Sequence, residues 1–302
     1  MTRLIKRNRL HFCDAGSQRC PLVVEIAACG VVGLGLYLCS LYSCLLFHSL
    51  AELFSIIIAM SVFMFTINTR HYVENDFLVF LGLSYFFIGA IDILHALAYS
   101  GTNIFPEGGI NLSSQTWLAA RYLEAAAFLV APLFLARMLS VAATGSALTV
   151  AAGLIVAAIF YWQVFSLTFV EGFGLTPFKI ISEYLLSLLL LTAALLLYKK
   201  RTFLDREVYR LIVLSILTTS LSEMVFTLYT GPYDGVSLVG HFFKILSCYL
   251  IYQAIIHTGL QKPYALLFHD LREKKEAIVA VNVRFGRGWP ILSSPRIVCS
   301  RS

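Results

Sequence analysis

Residues 47–70 read FHSLAELFSIIIAMSVFMFTINTR. From Ser49 to Thr69 the run is apolar and long enough to cross a bilayer as a helix, which takes about 20 residues. Before the closing Arg70 its only ionisable side chains are His48 and Glu52, four residues apart and therefore on one helix face. A carboxylate inside an apolar span is costly, and such groups face the interior of a bundle or a watery cavity. The stretch therefore predicts a membrane helix, and one that packs against others.

The same reading extends along the chain. Apolar runs at 21–46, 77–99, 116–136, 147–165, 178–200, 209–230 and 237–260 join 49–69 to predict an all-α polytopic membrane protein, a bundle of about eight transmembrane helices. Thr176 before Pro177 marks the start of the sixth span. The 302 residues are 59% hydrophobic and 13% charged, with a mean hydropathy of +0.80. Soluble domains run near 45–50% and about 25%, so an ordinary soluble enzyme, a disordered chain and a disulfide-stapled secreted domain are excluded. The first run follows Arg3, Lys6, Arg7 and Arg9, but it is too long for a signal-peptide core and lacks a small-residue cleavage site, so it reads as a span. Seven cysteines form no CxxC pair and read as small packing residues.

The net charge of +6 is a matter of topology rather than of nucleic-acid binding, which is not expected. With the N-terminus inside, the inner connections hold Arg70, Arg137, Lys199, Lys200, Arg201, Arg206 and Arg210, and the C-terminal tail adds Lys262, Arg272, Lys274 and Lys275. The outer connections, near 47–48, 100–115, 166–177 and 231–236, contain no Lys or Arg. The positive-inside rule then places both termini in the cytoplasm.

The charges left inside the spans form a pattern. Glu52 on the second span, Asp92 and His95 on the third, Arg121 and Glu124 on the fourth, Lys179 and Glu183 on the sixth, Glu223 on the seventh, and His241 and Lys244 on the eighth all fall in the outer half of the membrane. At 1.5 Å per residue they lie about 3–12 Å below the outer boundary. Pointing inward, they would make a polar cup closed below by apolar side chains, with Tyr85, Tyr99, Trp117, Tyr122 and Tyr184 near its level. These ten ionisable residues are the candidate ligand-binding set. The competing reading is that pairs such as Arg121 with Glu124, or Lys179 with Glu183, neutralise one another and fix packing register. Confinement to one leaflet favours the pocket.

The cofactor stays open. His48, Glu52, Asp92, His95 and His241 are chemically suitable metal ligands, with His48, His95 and His241 the weak metal candidates, but their spacing matches no zinc signature. A haem between two of the histidines is a further alternative. His71, His257 and His269 read as residues of the inner interface. Segments 100–115 and 166–177 mix Gly breaks with Phe105, Ile110, Phe169 and Phe173, and fold either as lids over the cup or as plain connections. Small-solute transport is the alternative function. It would need a polar route to the cytoplasm, whereas the inner halves of the spans are almost free of charge, and no internal repeat is evident.

The stretches at 47–70, "YFFIGAIDILHALAYSG" (85–101), "WLAARYLE" (117–124), "FVEGFGLTPFKIISEY" (169–184) and "GHFFKILSCYLIYQAIIHTGLQKPYALLFHDL" (240–271) carry the in-membrane charged pairs. Together they resemble the bacterial integral membrane-associated sensor domains, the third of the MASE-type series, over about residues 20–275. The resemblance implies an input module of a sensor histidine kinase or diguanylate cyclase in the bacterial inner membrane, and signal perception rather than transport. It transfers no ligand and no binding residues. The residues themselves add the expectation of a small ligand entering the cup from the periplasmic side, and of a homodimer whose parallel helical extensions carry the shift onward. They divide the chain into a cytoplasmic basic N-terminus (1–20), an eight-helix sensor domain (21–260), a charged signalling helix (261–283) and a disordered tail (284–302), where the sequence departs from the family. The tail carries no phosphoacceptor histidine motif, nucleotide-binding glycine loop or GGDEF-like signature, so no catalytic output is expected on this chain, and its end reads as that of a shortened reading frame.

Overall fold

Each apolar run becomes a helix. The computed structural model describes residues 19–70, 76–106, 108–170, 172–228 and 235–256, with isolated positions from 258 to 279. The helices are α1 (Arg19–Tyr42), α2 (Cys44–Thr69), α3 (Asp76–Ala98), α4 (Gly109–Val130), α5 (Val141–Val156), α6 (Pro177–Lys199), α7 (Arg206–Phe226) and α8 (Gly235–Ile256). A 3-10 turn at Pro132, whose ring nitrogen has no hydrogen to donate, carries α4 on to Leu135, and a π turn carries α5 to Tyr161. Seven helices, α2 to α8 with these extensions, are long and apolar enough to span a membrane. The side chains of α1 are described only at Val24 and from Ala27 onward, so the placement of Glu25 lies outside the described residues, as do His71, His257, His269 and nearly all of 261–302.

The helices pack in a closed ring. In order around it α2 touches α3, α3 touches α4, α4 touches α6, α6 touches α7, α7 touches α8, and α8 returns to α2. α1 lies outside on α2, and α5 lies outside on α3. Among the described residues, the six ring helices are the six that carry buried charges. An ionisable group needs a protein interior at membrane depth, which is what the ring supplies. α5 has none in its span and is the least buried of the seven.

Three boundaries differ from the expected ones, each for a local reason. The turn between the first two helices is the single residue Ser43, whose hydroxyl caps α2 by accepting from the Leu46 amide at 3.3 Å, not the segment 47–48. His48 is therefore buried inside α2 rather than at its mouth. α4 begins at Gly109, well before residue 116, because the polar stretch NLSSQT winds as helix and spends its polar groups on neighbours. α5 begins at Val141 rather than 147, capped by Ser140. At α6 the expected cap is present: the Thr176 hydroxyl accepts from the Lys179 amide at 3.3 Å.

At the end of the bundle that holds the α3–α4 connection, two short strands, β1 (Phe169–Val170) and β2 (Gly174–Leu175), pair antiparallel. Gly172 and Gly174 between and within them adopt φ of 84° and 86°, which side chains rarely tolerate. Asn111 holds this hairpin to α4: its side-chain carbonyl accepts from the Thr168 amide at 2.9 Å and the Phe169 amide at 3.3 Å. Asn111→Ala removes the bonds from the amides of Thr168 and Phe169, both buried, and is expected to cost about 1–3 kcal/mol locally. Hydrogen exchange should quicken across 165–176 while the protection of α2, α3 and α8 is unchanged; equal exchange in the hairpin would refute the clamp.

At the opposite end the ring is filled by apolar side chains, among them Val62, Leu81, Leu190, Leu197, Ile212 and Ile251, all buried.

Candidate functional site

The buried ionisable groups of the ring meet at the α3–α4 end in one connected chain. Glu52 on α2 receives Lys244 of α8 on Oε2, at 2.5 Å. Lys244 also lies 3.3 Å from Asp92 of α3. Asp92 accepts from Arg121 of α4 at 2.9 and 3.0 Å. Arg121 pairs in turn with Glu124 one turn further along α4, and Glu124 accepts from the Tyr85 hydroxyl of α3 at 2.9 Å. The indole of Trp117 lies against both cations, 4.5 Å from Lys244 Nζ and 5.0 Å from the Arg121 guanidinium carbon. Glu52 is wholly inaccessible, and so is Glu183.

The two neutralising pairs expected from spacing both form, since Arg121 meets Glu124 and Lys179 meets Glu183 within their own helices. Glu223 of α7 lies beside the Lys179–Glu183 pair and within the field of Arg121. Beneath, Ser215, Thr219 and Ser247 form a hydroxyl mesh between α7 and α8, with oxygens 2.5 and 2.8 Å apart.

Above the chain sit three imidazoles. His95 Nδ1 lies 2.8 Å from the Ser113 carbonyl, and His241 Nδ1 lies 2.6 Å from the Ser237 carbonyl. A carbonyl only accepts, so each Nδ1 carries a hydrogen, and in the neutral ring each Nε2 presents a lone pair. His95 Nε2 lies 3.2 Å from His48 Nε2 and 4.0 Å from Glu52 Oε1, and His241 Nε2 lies 3.3 Å from the same oxygen. Tyr99 stacks on His48, with ring centroids 3.4 Å apart. His48, Glu52, His95 and His241 each contribute one metal-ligating atom to a cluster in which all four lie within 4.8 Å of one another.

A cavity of about 50 Å³ opens onto these rings, lined by His48, His95, Tyr99, Ser100, Ile110, Ser113, Ser114, Trp117, Lys179, Phe226, Ser237 and His241. Drug-sized ligands occupy about 300–1,000 Å³, so this space suits an ion or a very small molecule. It leaves no room for a porphyrin between the histidines. The ten residues named from sequence thus divide. His95, Lys179 and His241 line the cavity, Glu52 stands directly behind the rings, and Asp92, Arg121, Glu124 and Lys244 form the supporting chain. Glu183 and Glu223 lie deeper, beside Lys179.

Of the aromatic residues expected near this level, Tyr85, Tyr99 and Trp117 are inside, whereas Tyr184 is 50% exposed on the outer surface of the ring. Of the two candidate lids, 100–115 contributes Ser100 and Ile110 to the cavity wall, but Phe105 packs on Phe160, with centroids 5.6 Å apart, instead of covering it. Of 166–177 only Leu167 borders a different, larger space of about 510 Å³, beside Gln115 and Phe160, and the hairpin strands line neither. The Gln115 amide there already donates to the carbonyls of Phe165 and Ser166. Sequence spacing gave no signal for the carbonyls of Ser113 and Ser237 that set the two tautomers, because backbone partners leave no residue-type signature.

None of the curated proteins and none of the solved structures matches the chain. A family match does cover most of it, from Cys39 near the end of α1, through every ring helix, to residue 263. The charged ring is therefore the body of a membrane-sensing module in contact with lipid, and with residues 39–263 matching the membrane-associated sensor domain family, MASE3, the chain belongs to that family.

Proposed function

We propose that the α3–α4 end of the ring faces the periplasm of a bacterial inner membrane, that a small ligand enters the cavity there, and that its arrival shifts α8 against α2 and α3. One observation carries this reading. The site and the route out of it share a helix: His241 and Lys244 of α8 touch Glu52 of α2, and Lys244 touches Asp92 of α3. A ligand that binds one arrangement of these helices more tightly than another moves the equilibrium between them. The positive-inside distribution supports the orientation, since the connections at the cavity end lack Lys and Arg. The segment after α8, residues 261–283, would carry the shift as a signalling helix. The module is taken to work as a homodimer, in which each α8 extension has its twin as a fixed reference, and to serve a kinase or cyclase output domain. The apolar filling at the opposite end disfavours transport, because a solute would meet Val62, Leu81, Ile212 and Ile251 on its way through.

The test joins the chain at residue 275 to an intact histidine kinase domain. Glu52→Gln and Lys244→Met are each expected to change basal phosphorylation by at least about fivefold, the lower end of ordinary coupling energies, with membrane insertion retained. Unchanged phosphorylation in both, at normal levels of inserted protein, would make the charged chain structural and defeat the reading.

A further inference from the structure

We propose that the four-residue cluster His48, Glu52, His95 and His241 is a binding site for one divalent first-row transition-metal ion, with zinc as the reference ion. The inference deepens the sensing reading by naming the class of ligand, and it rests on that reading only for its consequence, not for its chemistry.

The geometry points to an ion first through lone pairs. His241 Nδ1 gives its hydrogen to the Ser237 carbonyl, so its Nε2 aims a lone pair at Glu52 Oε1, 3.3 Å away. Both atoms are buried without a hydrogen-bond partner. Two acceptors facing each other in a low-dielectric interior repel unless something positive lies between them. His95 repeats the arrangement: its Nδ1 is committed to Ser113 and its Nε2 turns to the same space. A proton on His241 would satisfy one of these contacts. It would leave unexplained why His95 Nε2 also turns to the same oxygen, at 4.0 Å, with His48 Nε2 3.2 Å from that nitrogen.

The spacing also fits. Ligands about 2.0–2.1 Å from a tetrahedral ion stand about 3.3 Å apart. Two edges match it, 3.2 Å between His48 and His95 and 3.3 Å between His241 and Glu52; His95 and Glu52 stand 4.0 Å apart and all four atoms lie within 4.8 Å, so an ion would draw the set together. The supporting contacts are those that metal sites use. Backbone carbonyls fix the tautomer and tilt of His95 and His241, and Lys244 holds Glu52 Oε2 so that Oε1 is left for the ion. His48 takes part by carrying its ring hydrogen on Nδ1, the atom now without a partner. Three imidazoles and one carboxylate select zinc or copper over magnesium or calcium, which take oxygen ligands. Charge agrees: among the described residues the ring buries five carboxylates against three Lys and Arg cations, a formal shortfall that one divalent ion makes good. The cavity provides entry for an ion and little else.

The experiment uses the full chain in lipid nanodiscs, stripped with chelator and titrated with ZnCl2, CoCl2 or MgCl2. Expected are one zinc per chain by elemental analysis after desalting, the intense visible absorption of four-coordinate cobalt, and no response to magnesium. His95→Gln and His241→Gln should each weaken zinc binding by at least about tenfold. Ser140→Ala, at the cap of α5 outside the ring, should not. A wild-type chain that retains no zinc and gives no four-coordinate cobalt spectrum overturns the proposal, whatever the variants do. The two readings fail separately. If zinc is not bound but Glu52→Gln still changes the output of the fused kinase, the metal assignment falls and the sensing reading stands. If zinc binds at one per chain but neither zinc nor His241→Gln alters that output, the metal site stands and the sensing reading falls.

Discussion

Arg121→Met is expected to lower the stability of the folded bundle by about 3–5 kcal/mol, the cost of removing one partner from a buried ion pair. Arg121 is the cation shared by Asp92 and Glu124, and all three are buried. Methionine fills much of the same volume, so the loss would not arise from a cavity. Two carboxylates would be left at membrane depth, where Asp92 keeps only Lys244 at 3.3 Å and Glu124 only the Tyr85 hydroxyl. Adding Asp92→Asn and Glu124→Gln to Arg121→Met should recover most of the loss, because a buried ion pair replaced as a whole is often close to neutral. The measurement is the unfolding midpoint in nanodiscs for the single and triple variants. A single variant that melts with the wild type would mean that water or lipid headgroups reach these groups and that the chain of contacts is not sealed. The comparison also separates the roles of Arg121 and the histidines. The triple variant is expected to bind zinc, since it leaves Glu52, Lys244 and the imidazoles in place.

The membrane character of the fold was legible because it depends on composition and run length, which are local. The level of the charges was legible too, since 1.5 Å per residue along a helix converts position into depth. Partner choice was not. Glu52 and Lys244 are 192 residues apart, and nothing in either span says that α2 and α8 are neighbours or that α5 stands outside the ring. The distribution of charge did hold that information in a weak form. A span without ionisable groups needs no protein interior, and α5 is such a span. The start of α4 is hidden in the sequence because Asn111, Ser113 and Gln115 look like loop residues until their partners are known. Asn111 holds the hairpin, the Ser113 carbonyl orients His95, and Gln115 holds the carbonyls of Phe165 and Ser166. His48 reads as lying at the mouth of α2 because a polar residue before an apolar run looks like a boundary. The Ser43 cap moves that boundary one turn earlier and buries the imidazole.

A close contact between α2 and α3 supplies a test of how the two ends communicate. A Cβ added at Gly82 on α3 would lie 2.2 Å from Thr66 Oγ1, 2.5 Å from its Cβ and 2.6 Å from its Cγ2. Thr66 cannot swing aside, because a β-branched side chain is stiff at χ1 and its hydroxyl is bonded to the Val62 carbonyl at 2.7 Å. Gly82→Ala must therefore push α2 and α3 apart, at a cost of about 1–3 kcal/mol. The paired variant Gly82→Ala with Thr66→Gly moves the small residue to the other helix and removes all three clashing atoms. It should recover the packing loss, and because the number of helical glycines is unchanged the propensity costs largely cancel. The two changes are thus expected to be strongly non-additive in a thermal unfolding cycle, as residues in direct contact are. Additive values would show that the helices do not meet here. Gly82 is ten residues from Asp92, about 15 Å along α3, yet α2 and α3 together carry His48, Glu52, Asp92 and His95. If the two helices tilt as rigid bodies, Gly82→Ala alone should also weaken zinc binding, and the paired variant should restore it. That result would tie the separation of α2 and α3 at one face of the membrane to the geometry of the imidazoles at the other, which is the motion a sensor needs.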